Sequence, residues 1–208
     1  MMPDENYKTL AVIDLDGTLV RGNTLHIYMQ AGARSLWRTR RYGKLAALLG
    51  ISALRALRLV SHRRMKWTAI NLIGHADGLL KDDFTARVKA SVNPAVTALV
   101  ATFRSRGEQV LLASAAPAFY IPWLWDGPYI ATQIEDNPQR VELRGNCKKN
   151  AVLEYARVHG LALRDVVTDH HDDLPLLLAA AGDRYLISPS ADTLTAVRAA
   201  IPSVIVVN

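Results

Sequence analysis

Two carboxylates, Asp14 and Asp16, follow a short apolar segment near the start of the chain. The apolar residues 10–13 are too few for a helix and a turn pair, Asp-Gly, comes soon after them, so they are predicted to form a buried strand. Side chains at positions i and i+2 of an extended backbone project to the same side, so the two carboxylates would share one cavity. Like charges that close need a cation between them, or one must take up a proton. From these two residues alone, a reactive site at a strand end and a plain acidic turn are equally good interpretations.

Polar side chains also follow two later apolar segments that are predicted to be strands. Ser114 directly follows one of them, and Asp169 and Asp173 follow another. Ligands of open α/β sheets bind outside the carboxyl ends of the strands, so these side chains are expected at the same edge as Asp14. A serine after a strand is usually only a turn residue, so Ser114 gains meaning only together with the carboxylates.

Two further pairs of residues have side chains of the types that bind anions or metal ions. Lys148 and Lys149 stand where a helix is predicted to begin. Cations there oppose the helix dipole but can hold an anion beside the free backbone N–H groups; a solvated lysine pair is the alternative. His170 and His171 lie among three aspartates, a combination that also suits a transition-metal site, because imidazole and carboxylate bind zinc, iron or manganese.

Four segments, in order, resemble the motifs of the haloacid dehalogenase superfamily of aspartate-nucleophile phosphotransferases. Residues 14–19, Asp-Leu-Asp-Gly-Thr-Leu, resemble the first motif, and residues 112–115, Leu-Ala-Ser-Ala, resemble the second. The lysine pair resembles the third motif of the phosphoserine-phosphatase-like branch, where the lysine precedes a leucine by one turn, and this spacing favours Lys149. Residues 169–177 resemble the fourth motif through the pattern Asp-x-x-x-Asp-Leu-Pro-Leu-Leu. The resemblance covers nearly the whole chain and implies a hydrolase of this superfamily.

The resemblance implies a mechanism. Asp14 would attack phosphorus and form an aspartyl-phosphate, while Asp16 would protonate the leaving alcohol and later deprotonate the attacking water. Mg²⁺ would be held by the carboxylates of Asp14 and Asp169 and by the main-chain carbonyl of Asp16. Asp16 also argues against a dehalogenase, because displacing halide needs no acid for the leaving group; a mutase stays open.

Other residues implied by the resemblance position the reacting groups or select the substrate. Asp173 would orient a metal-bound water or the lysine. Asn23 stands where phosphoserine phosphatases have a glutamate for the amino group of the substrate, which argues against phosphoserine. His170 stands where that branch often has a small hydroxyl residue. The transferring oxygens would be bound by Thr18, Ser114 and Lys149.

The composition is that of a folded protein, with room for one ordinary α/β domain and a smaller accessory domain. The 208 residues are 50% hydrophobic and 21% charged, which argues against disorder. The single cysteine, Cys147, excludes an internal disulfide and is consistent with a reducing compartment. The first residues show no signal pattern, and no uncharged apolar stretch reaches the roughly 18–20 residues of a spanning helix, so a cytoplasmic protein is expected.

Strands that alternate with helices in the second half of the chain predict a doubly wound parallel sheet, a Rossmann-like α/β core. The second strand begins only near residue 109, although a βαβ unit needs roughly 30 residues, so a domain is inserted after the first strand. Residues 23–92 have apolar residues at helical spacing and are predicted to form a cap of three to five helices. The core would comprise residues 1–22 and 93–208. Breaks in the helical pattern fall near Gly43, Gly50, Ser61 and Gly74.

The predicted cap is basic. Between Gly17 and Ala76 the chain has eleven lysine and arginine residues and no acidic residue, against a net charge of +6 for the whole protein. The apolar residues 44–60, with arginine pairs and Trp37 and Trp67 beyond them, have features of an amphipathic helix that lies on an anionic membrane. A cap bundle with a buried stripe and solvated arginines explains the same pattern.

These alternatives lead to different functions. A similar branch of the superfamily includes bacterial phosphatases of phosphatidylglycerophosphate, so a lipid phosphate at the inner face of the membrane is one candidate substrate. A nucleic-acid-binding protein would use Trp37, Tyr42 and Trp67 as stacking groups, but it leaves the four motifs unexplained, so no nucleic acid is expected. A catalytically silent regulator is opposed by the intact acidic and lysine positions of the motifs.

Overall fold

The computed structural model describes residues 8–74, 78–135, 139 and 141–208. The chain divides into two compact units. The core unit comprises Met1–Gly22, Val92–Gln133 and Val141–Asn208, and the helical unit comprises Asn23–Ser91 and Ile134–Arg140. The polar residues Asp-Asn-Pro at 136–138 predict a hairpin-like excursion after the third strand, and they lie outside the described residues.

The core unit is built on a six-stranded sheet in which every neighbouring pair is parallel. The strand order is β3-β2-β1-β4-β5-β6, so the chain moves outward from β1 to one edge and then restarts at β4 on the other side of β1. The predicted doubly wound parallel sheet is confirmed. The strands are β1 (Lys8–Ile13), β2 (Gln109–Pro117), β3 (Tyr129–Thr132), β4 (Leu161–Thr168), β5 (Arg184–Ile187) and β6 (Ile205–Val207).

Most of the central strand β1 is buried. Its residues 10–13 are at most 1% exposed, as expected for a parallel strand that is covered on both faces and is therefore continuously apolar. One apolar cluster joins β1, β2, β4 and β5 to three of the helices that follow β2. The helices of the core unit are α5 (Pro94–Ser105), α6 (Gly145–Val158), α7 (Leu174–Ala179) and α8 (Ala191–Ala200), with short 3₁₀ helices at Ala118–Trp123 and His171–Asp173.

The helical unit contains four helices among its described residues, within the predicted range. The breaks that the sequence predicts near Gly43, Ser61 and Gly74 lie close to helix ends, whereas the helix that contains Gly50 continues through it. Trp67 is only 5% exposed, so the prediction that it flanks an interfacial helix, or stacks on bases, is wrong. The helices are α1 (Thr24–Arg38), α2 (Tyr42–Ala56), α3 (His62–Ile73) and α4 (Gly78–Ala90). Across the described ranges, no helix combines the length and hydropathy that crossing a membrane requires.

The long inserted segment, Asn23–Ser91, leaves and re-enters the core unit at neighbouring positions. Val20 forms an isolated antiparallel bridge with Val92, and Asn93 N donates a hydrogen bond to Leu19 O at 2.8 Å. Asn93 then caps α5, because its side chain accepts from Ala95 N at 3.1 Å. The two ends of the inserted segment are therefore fixed side by side.

Candidate active site

The carboxyl ends of β1, β2 and β4 bring the predicted site residues to one edge of the sheet. Asp14 N donates to Val167 O at 2.9 Å, so Asp14 lies beside the last residues of β4. On the other side of β1, Ile13 pairs with Leu112, which places Ser114 just beyond the level of Asp14. β1 and β4 are the strands between which the chain reverses its direction across the sheet, and this is where open α/β sheets bind ligands.

A lysine lies between two carboxylates at this edge. Lys148 Nζ donates to Asp14 Oδ1 at 2.8 Å and to Asp173 Oδ2 at 2.6 Å. The three side chains are only 4%, 12% and 7% exposed, so the cluster is nearly shielded from water. A buried charge without a partner is very costly, so each of these groups depends on the others.

The sequence prediction favours Lys149 for this position, and the structure corrects it to Lys148. α6 begins at Gly145, four residues before the predicted helix start, and its buried residues are Lys148, Val152 and Ala156. These positions repeat at one turn and share a face. Leu153, which would place Lys149 on the buried face, is itself 39% exposed.

Thr168 belongs to the cluster although the sequence analysis does not single it out. Its hydroxyl donates to Asp173 Oδ2 at 2.8 Å, on the same oxygen that accepts from Lys148, and Thr168 is 1% exposed. The only signal in the sequence is a hydroxyl residue at the last position of an apolar strand. Asp173 Oδ2 therefore accepts hydrogen bonds from both Lys148 and Thr168.

Asp169 is positioned by the turn after β1. Thr18 donates its hydroxyl hydrogen to Asp169 Oδ1 at 3.3 Å. Gly17 has a φ of +81°, and a Cβ atom there would lie 2.0 Å from Asp169 Oδ2. Only glycine leaves room for this carboxylate and tolerates the backbone conformation without strain. The glycine of the first motif therefore also leaves the room that the carboxylate of Asp169 occupies.

Asp16 and Ser114 lie at the same edge. Asp16 is half-buried and pairs with Val20 in an isolated bridge, which holds the turn after β1. Ser114 is 1% exposed, and its hydroxyl oxygen accepts from Ala116 N at 3.1 Å. A hydroxyl that accepts in this way keeps its own hydrogen as a donor for an anion.

Electrostatics in the cluster reflect burial and crowding of carboxylates. Burial raises the pKa of Asp14 to about 7, against the lowering effect of Lys148 and with further raising by Asp173 and Asp169. Burial likewise raises the pKa of Asp169 above its ordinary value. Burial alone would lower the pKa of Lys148, but Asp14 and Asp173 hold it above its usual range.

The donor set suits a hard cation. Asp14 and Asp169 offer carboxylate oxygens whose charged form is disfavoured by burial, so a cation beside them would stabilise that form. Oxygen ligands of this kind are the ones that Mg²⁺ prefers, and Mg²⁺ keeps several waters in addition. The carboxylates of Asp14 and Asp169 therefore fit the Mg²⁺ ion that the sequence predicts.

The two predicted substrate-selecting residues make local contacts. Asn23 caps α1, since its side chain accepts from His26 N at 3.1 Å. His170 is half-exposed, and its Nδ1 accepts from Asp172 N at 3.1 Å. The possible metal-ligand atoms of His170, His171 and Asp172 lie within 4.8 Å of one another, all on exposed residues. This exposed group does not include the partly buried carboxylates of Asp14 and Asp169.

Solved structures share this fold. A protein of unknown function from Bordetella pertussis Tohama I has a TM-score of 0.72 at 19% identity, over 98% of this chain and 99% of that one. A HAD family hydrolase from Salmonella enterica serovar Typhi has a TM-score of 0.62 at 14% identity, over 97% and 68% of the two chains. A substrate-bound phosphoserine phosphatase has a TM-score of 0.60 at 15% identity, over 98% and 94%. At these identities the likeness shows the fold.

The family follows from the sequence match. No curated protein matches the chain significantly. The family model described as haloacid dehalogenase-like hydrolase matches residues 11–178, most of the chain, and this segment contains all four motifs and the whole buried cluster. The fold, the motif order and this match agree, and the chain belongs to the haloacid dehalogenase-like hydrolase family.

Proposed function

We propose that this protein is a Mg²⁺-dependent phosphatase that hydrolyses a phosphomonoester through an aspartyl-phosphate on Asp14. The observation that supports it best is the buried contact of Lys148 Nζ with Asp14 Oδ1, at the carboxyl end of the central strand. A carboxylate whose one oxygen is held by a lysine presents its other oxygen as a nucleophile in a fixed direction. Structures of phosphoserine phosphatase, including one described as an analogue of its phospho-aspartyl intermediate, share the fold.

In the first half of the proposed reaction, the ester is cleaved. An Asp14 carboxylate oxygen forms a bond to phosphorus while the bond from phosphorus to the alcohol oxygen breaks. The protonated carboxyl group of Asp16 gives its proton to the departing alcohol oxygen. Asp14 must be ionised to attack, and the charge of Lys148 favours that form against the effect of burial.

In the second half, water releases the phosphate. Asp16, now a carboxylate, takes a proton from the water as its oxygen bonds to phosphorus, and the bond between phosphorus and Asp14 breaks. Phosphate leaves, and both aspartates return to their starting protonation states. One difficult displacement is thus divided into two easier ones.

The other side chains at this edge of the sheet would bind the metal ion and the phosphoryl group, or orient Lys148. Bound Mg²⁺ would supply positive charge that neutralises the acid cluster and the phosphoryl group, held by Asp14, Asp169 and the carbonyl of Asp16. Asp173 and Thr168 position Lys148, as their contacts at 2.6 and 2.8 Å indicate. The phosphoryl oxygens would be bound by Ser114 and Lys148. Thr18, which the sequence predicts for the same role, instead directs its single hydroxyl hydrogen to Asp169 Oδ1 at 3.3 Å.

The proposed substrate is an anionic phosphomonoester. The basic stretch between Gly17 and Ala76 favours substrates with more than one negative charge, and lipid phosphates remain in this class. Asn23 takes the place of the acidic residue that would attract an amino group, and it caps α1, so phosphoserine is expected to be a poor substrate.

Release of phosphate tests the proposal. The panel comprises a chromogenic ester, phosphoserine, sugar phosphates, nucleotides and a lipid phosphate in mixed micelles, each with and without Mg²⁺. Wild type is compared with Asp14→Asn and with Asp172→Asn, a half-exposed carboxylate at the same edge that pairs with Arg144. We expect Mg²⁺-dependent release, a loss of at least about 10³-fold in Asp14→Asn, and little change in Asp172→Asn.

Two results would contradict the proposal. Asp14→Asn that keeps the wild-type rate would exclude Asp14 as the nucleophile. Equal release with a chelator present would exclude the metal requirement. Trapping of a base-labile phosphoryl group on wild type, but not on Asp14→Asn, is the direct support for the covalent step.

A further inference from the structure

The side of α2 that faces solvent is apolar. Along residues 42–56, all of which the structure describes, only Leu48 is buried. The exposed positions cover roughly half of the helix circumference, and Lys44, at the margin of that face, is the single charged residue among them. The larger apolar side chains on this face are Tyr42, Leu49 and Leu54, at 52%, 58% and 41% exposure.

The apolar surface continues beyond the ends of α2. Trp37, at 64% exposure, packs edge-on against Tyr42 with 5.5 Å between ring centroids. Leu57 and Leu59, in the segment after α2, are 68% and 69% exposed. An apolar cleft of about 230 Å³ lies along the seam between α1 and α2, lined in part by Met29, Leu48 and Leu49.

Exposed cations flank this apolar surface along the chain. Before α2 the exposed basic residues are Arg38, Arg40 and Arg41, and after it they are Arg58, Arg63 and Arg64. The chain contains no acidic residue from residue 18 to residue 75, so no carboxylate of this stretch offsets them. An exposed apolar patch with a rim of charge marks an interaction site rather than an ordinary solvated face.

The pattern of charge selects the partner. A helix with an uncharged face between Lys and Arg residues, and with tryptophan and tyrosine at one end, suits the interface of an anionic bilayer. A nucleic acid would need the cations on the contact face itself, whereas here the centre of that face is uncharged. A second copy of this chain would bring the same arginines together, and their repulsion disfavours a symmetric contact.

We propose that α2, together with Trp37, Leu57 and Leu59, is a docking surface for membranes that contain anionic lipid. The leucines of the face enter the boundary between headgroups and acyl chains, and the flanking arginines lie at the level of the lipid phosphates. This docking does not depend on catalysis, so it stands apart from the phosphatase proposal.

Sedimentation with vesicles tests the docking surface in the full-length protein. Vesicles of phosphatidylcholine alone are compared with vesicles that contain about 30% phosphatidylglycerol, at low and high salt. We expect binding to the anionic vesicles only, weakened by salt, because exposed charges are screened. The Asp14→Asn variant should bind as wild type does.

Variants on the surface make the test specific. The double variant Leu49→Gln with Leu54→Gln changes exposed positions, so the fold is kept, and binding should fall about tenfold or more. Leu178→Gln is the matched control, because Leu178 is a 56% exposed leucine of the core unit, and its binding should be unchanged. Tryptophan fluorescence should shift to the blue on binding, and Trp37→Phe should remove most of that shift.

Three outcomes would overturn the proposal. The first is no binding of wild type to anionic vesicles at low salt. The second is binding that the Leu49→Gln and Leu54→Gln changes leave intact. The third is a dimer in analytical ultracentrifugation that this double variant dissociates while vesicles stay unbound, which would assign the surface to a second copy.

Discussion

Lys148 and Lys149 provide a comparison at the level of single residues, because they are identical, adjacent and differently placed. Lys148→Ala removes the donor to Asp14 and Asp173, so we expect kcat to fall by about 10²–10³-fold. Lys149→Ala leaves those contacts in place, and its kcat should stay within about threefold of wild type. Steady-state kinetics with the best ester of the panel measures both.

A loss of folding would also lower activity in Lys148→Ala, since breaking a buried pair costs about 3–5 kcal/mol. Circular dichroism spectra and melting curves of both variants separate that effect from a catalytic one. Equal losses in the two lysine variants would contradict the assignment of Lys148.

Gly17 links the turn after β1 to the position of Asp169. In Gly17→Ala the new Cβ would lie 2.0 Å from Oδ2 and 2.5 Å from Cγ of Asp169, so that carboxylate must move. We expect a large loss of activity and weaker Mg²⁺ binding, measured by the Mg²⁺ concentration that gives half-maximal rate. Gly107→Ala is the control, because Gly107 has a similar φ of +77° and no atom within 4 Å of the added Cβ.

Both glycine variants should lose about 1 kcal/mol of stability from the left-handed backbone, since an L side chain is disfavoured there. Only Gly17→Ala should lose activity. If Gly107→Ala lost activity to the same extent, the effect would come from stability rather than from contact with Asp169.

At this scale the sequence predicts carboxylates better than their partners. Asp14, Asp169 and Asp173 are predicted because they lie at or shortly after the ends of apolar strands. Such strand ends can be located from the sequence alone. The choice of lysine depends on the phase of α6, which a shift of a single residue changes by about 100°. Thr168 belongs to the buried cluster only because its hydroxyl donates a hydrogen bond to Asp173, and no local sequence pattern predicts that contact.

The strands β2 and β4 also carry a second pair of acids, apart from the site. Glu108, just before β2, and Asp165, within β4, have side chains that are 0% and 1% exposed. Both oxygens of Glu108 and Oδ2 of Asp165 lack a hydrogen-bond partner among the described residues, while Arg106 Nη1 lies 3.9 Å from each carboxylate. Burial, and then the charge of Asp165, raise the pKa of Glu108 above its ordinary value.

This pair makes the stability of the core depend on pH. The folded state keeps the proton of Glu108 to a higher pH than the unfolded state does, so the free energy of unfolding falls as pH rises above the ordinary value of 4.5. Glu108→Gln removes the ionisation, and we expect it to be more stable than wild type by about 1 kcal/mol at pH 8, with a smaller gain at pH 5. Denaturant unfolding at a series of pH values measures the difference.

Glu154→Gln is the matched control for this prediction. Glu154 is exposed and paired with Arg157, and hydrogen bonding to that arginine lowers its pKa. Its replacement should give no gain at pH 8. A Glu108→Gln protein whose stability relative to wild type is the same at pH 5 and pH 8 would show that Glu108 does not titrate as inferred.

At the level of elements, boundaries are predictable where sequence and pairing agree. The sequence predicts a strand over residues 129–132 and a helix over residues 191–200. β3 and α8 have these bounds, because turn residues flank both. β2 extends past Ser114 to Pro117, since those residues pair with β3, a tertiary contact that the local sequence does not show. α2 includes Gly43 and Gly50, because a glycine lowers helix stability by only about 1 kcal/mol and does not by itself end a helix.

For the whole molecule, metal binding should appear as stability. An ion that binds only the folded state at one hundred times its Kd adds about 2.7 kcal/mol. For a chain of 208 residues this corresponds to an increase in Tm of roughly 5–10 °C. Differential scanning fluorimetry with Mg²⁺ and with a chelator measures the shift.

Asp169→Asn should abolish most of this shift, because it removes one of the proposed ligands. Asp172→Asn should preserve it, since that carboxylate is half-exposed and pairs with Arg144. A shift that persists in Asp169→Asn would mean that Mg²⁺ stabilises the protein from another site.

The architecture of the whole molecule is predictable because the features that indicate it extend over long stretches of the sequence. Alternating strands and helices indicate a parallel sheet, and the long interval between the first two strands indicates an insertion. The charge pattern is equally visible, but the exposure of α2 is not, since a buried apolar stripe and an exposed one have the same spacing in sequence. Leu48 and Leu49 are neighbours in the chain, yet one is 2% and the other 58% exposed.

The bridge between Val20 and Val92 has a consequence for how such proteins diversify. Paired residues of neighbouring strands lie about 5 Å apart, so the core holds the two ends of the insertion together whatever the intervening chain contains. Lengthening a closed loop costs little additional entropy, because the cost rises only with the logarithm of its length. Evolution can therefore exchange the inserted segment for a larger one, a smaller one or a bare turn without altering the sheet, and new specificity can arise by replacement of a whole module rather than by substitution within the reactive centre.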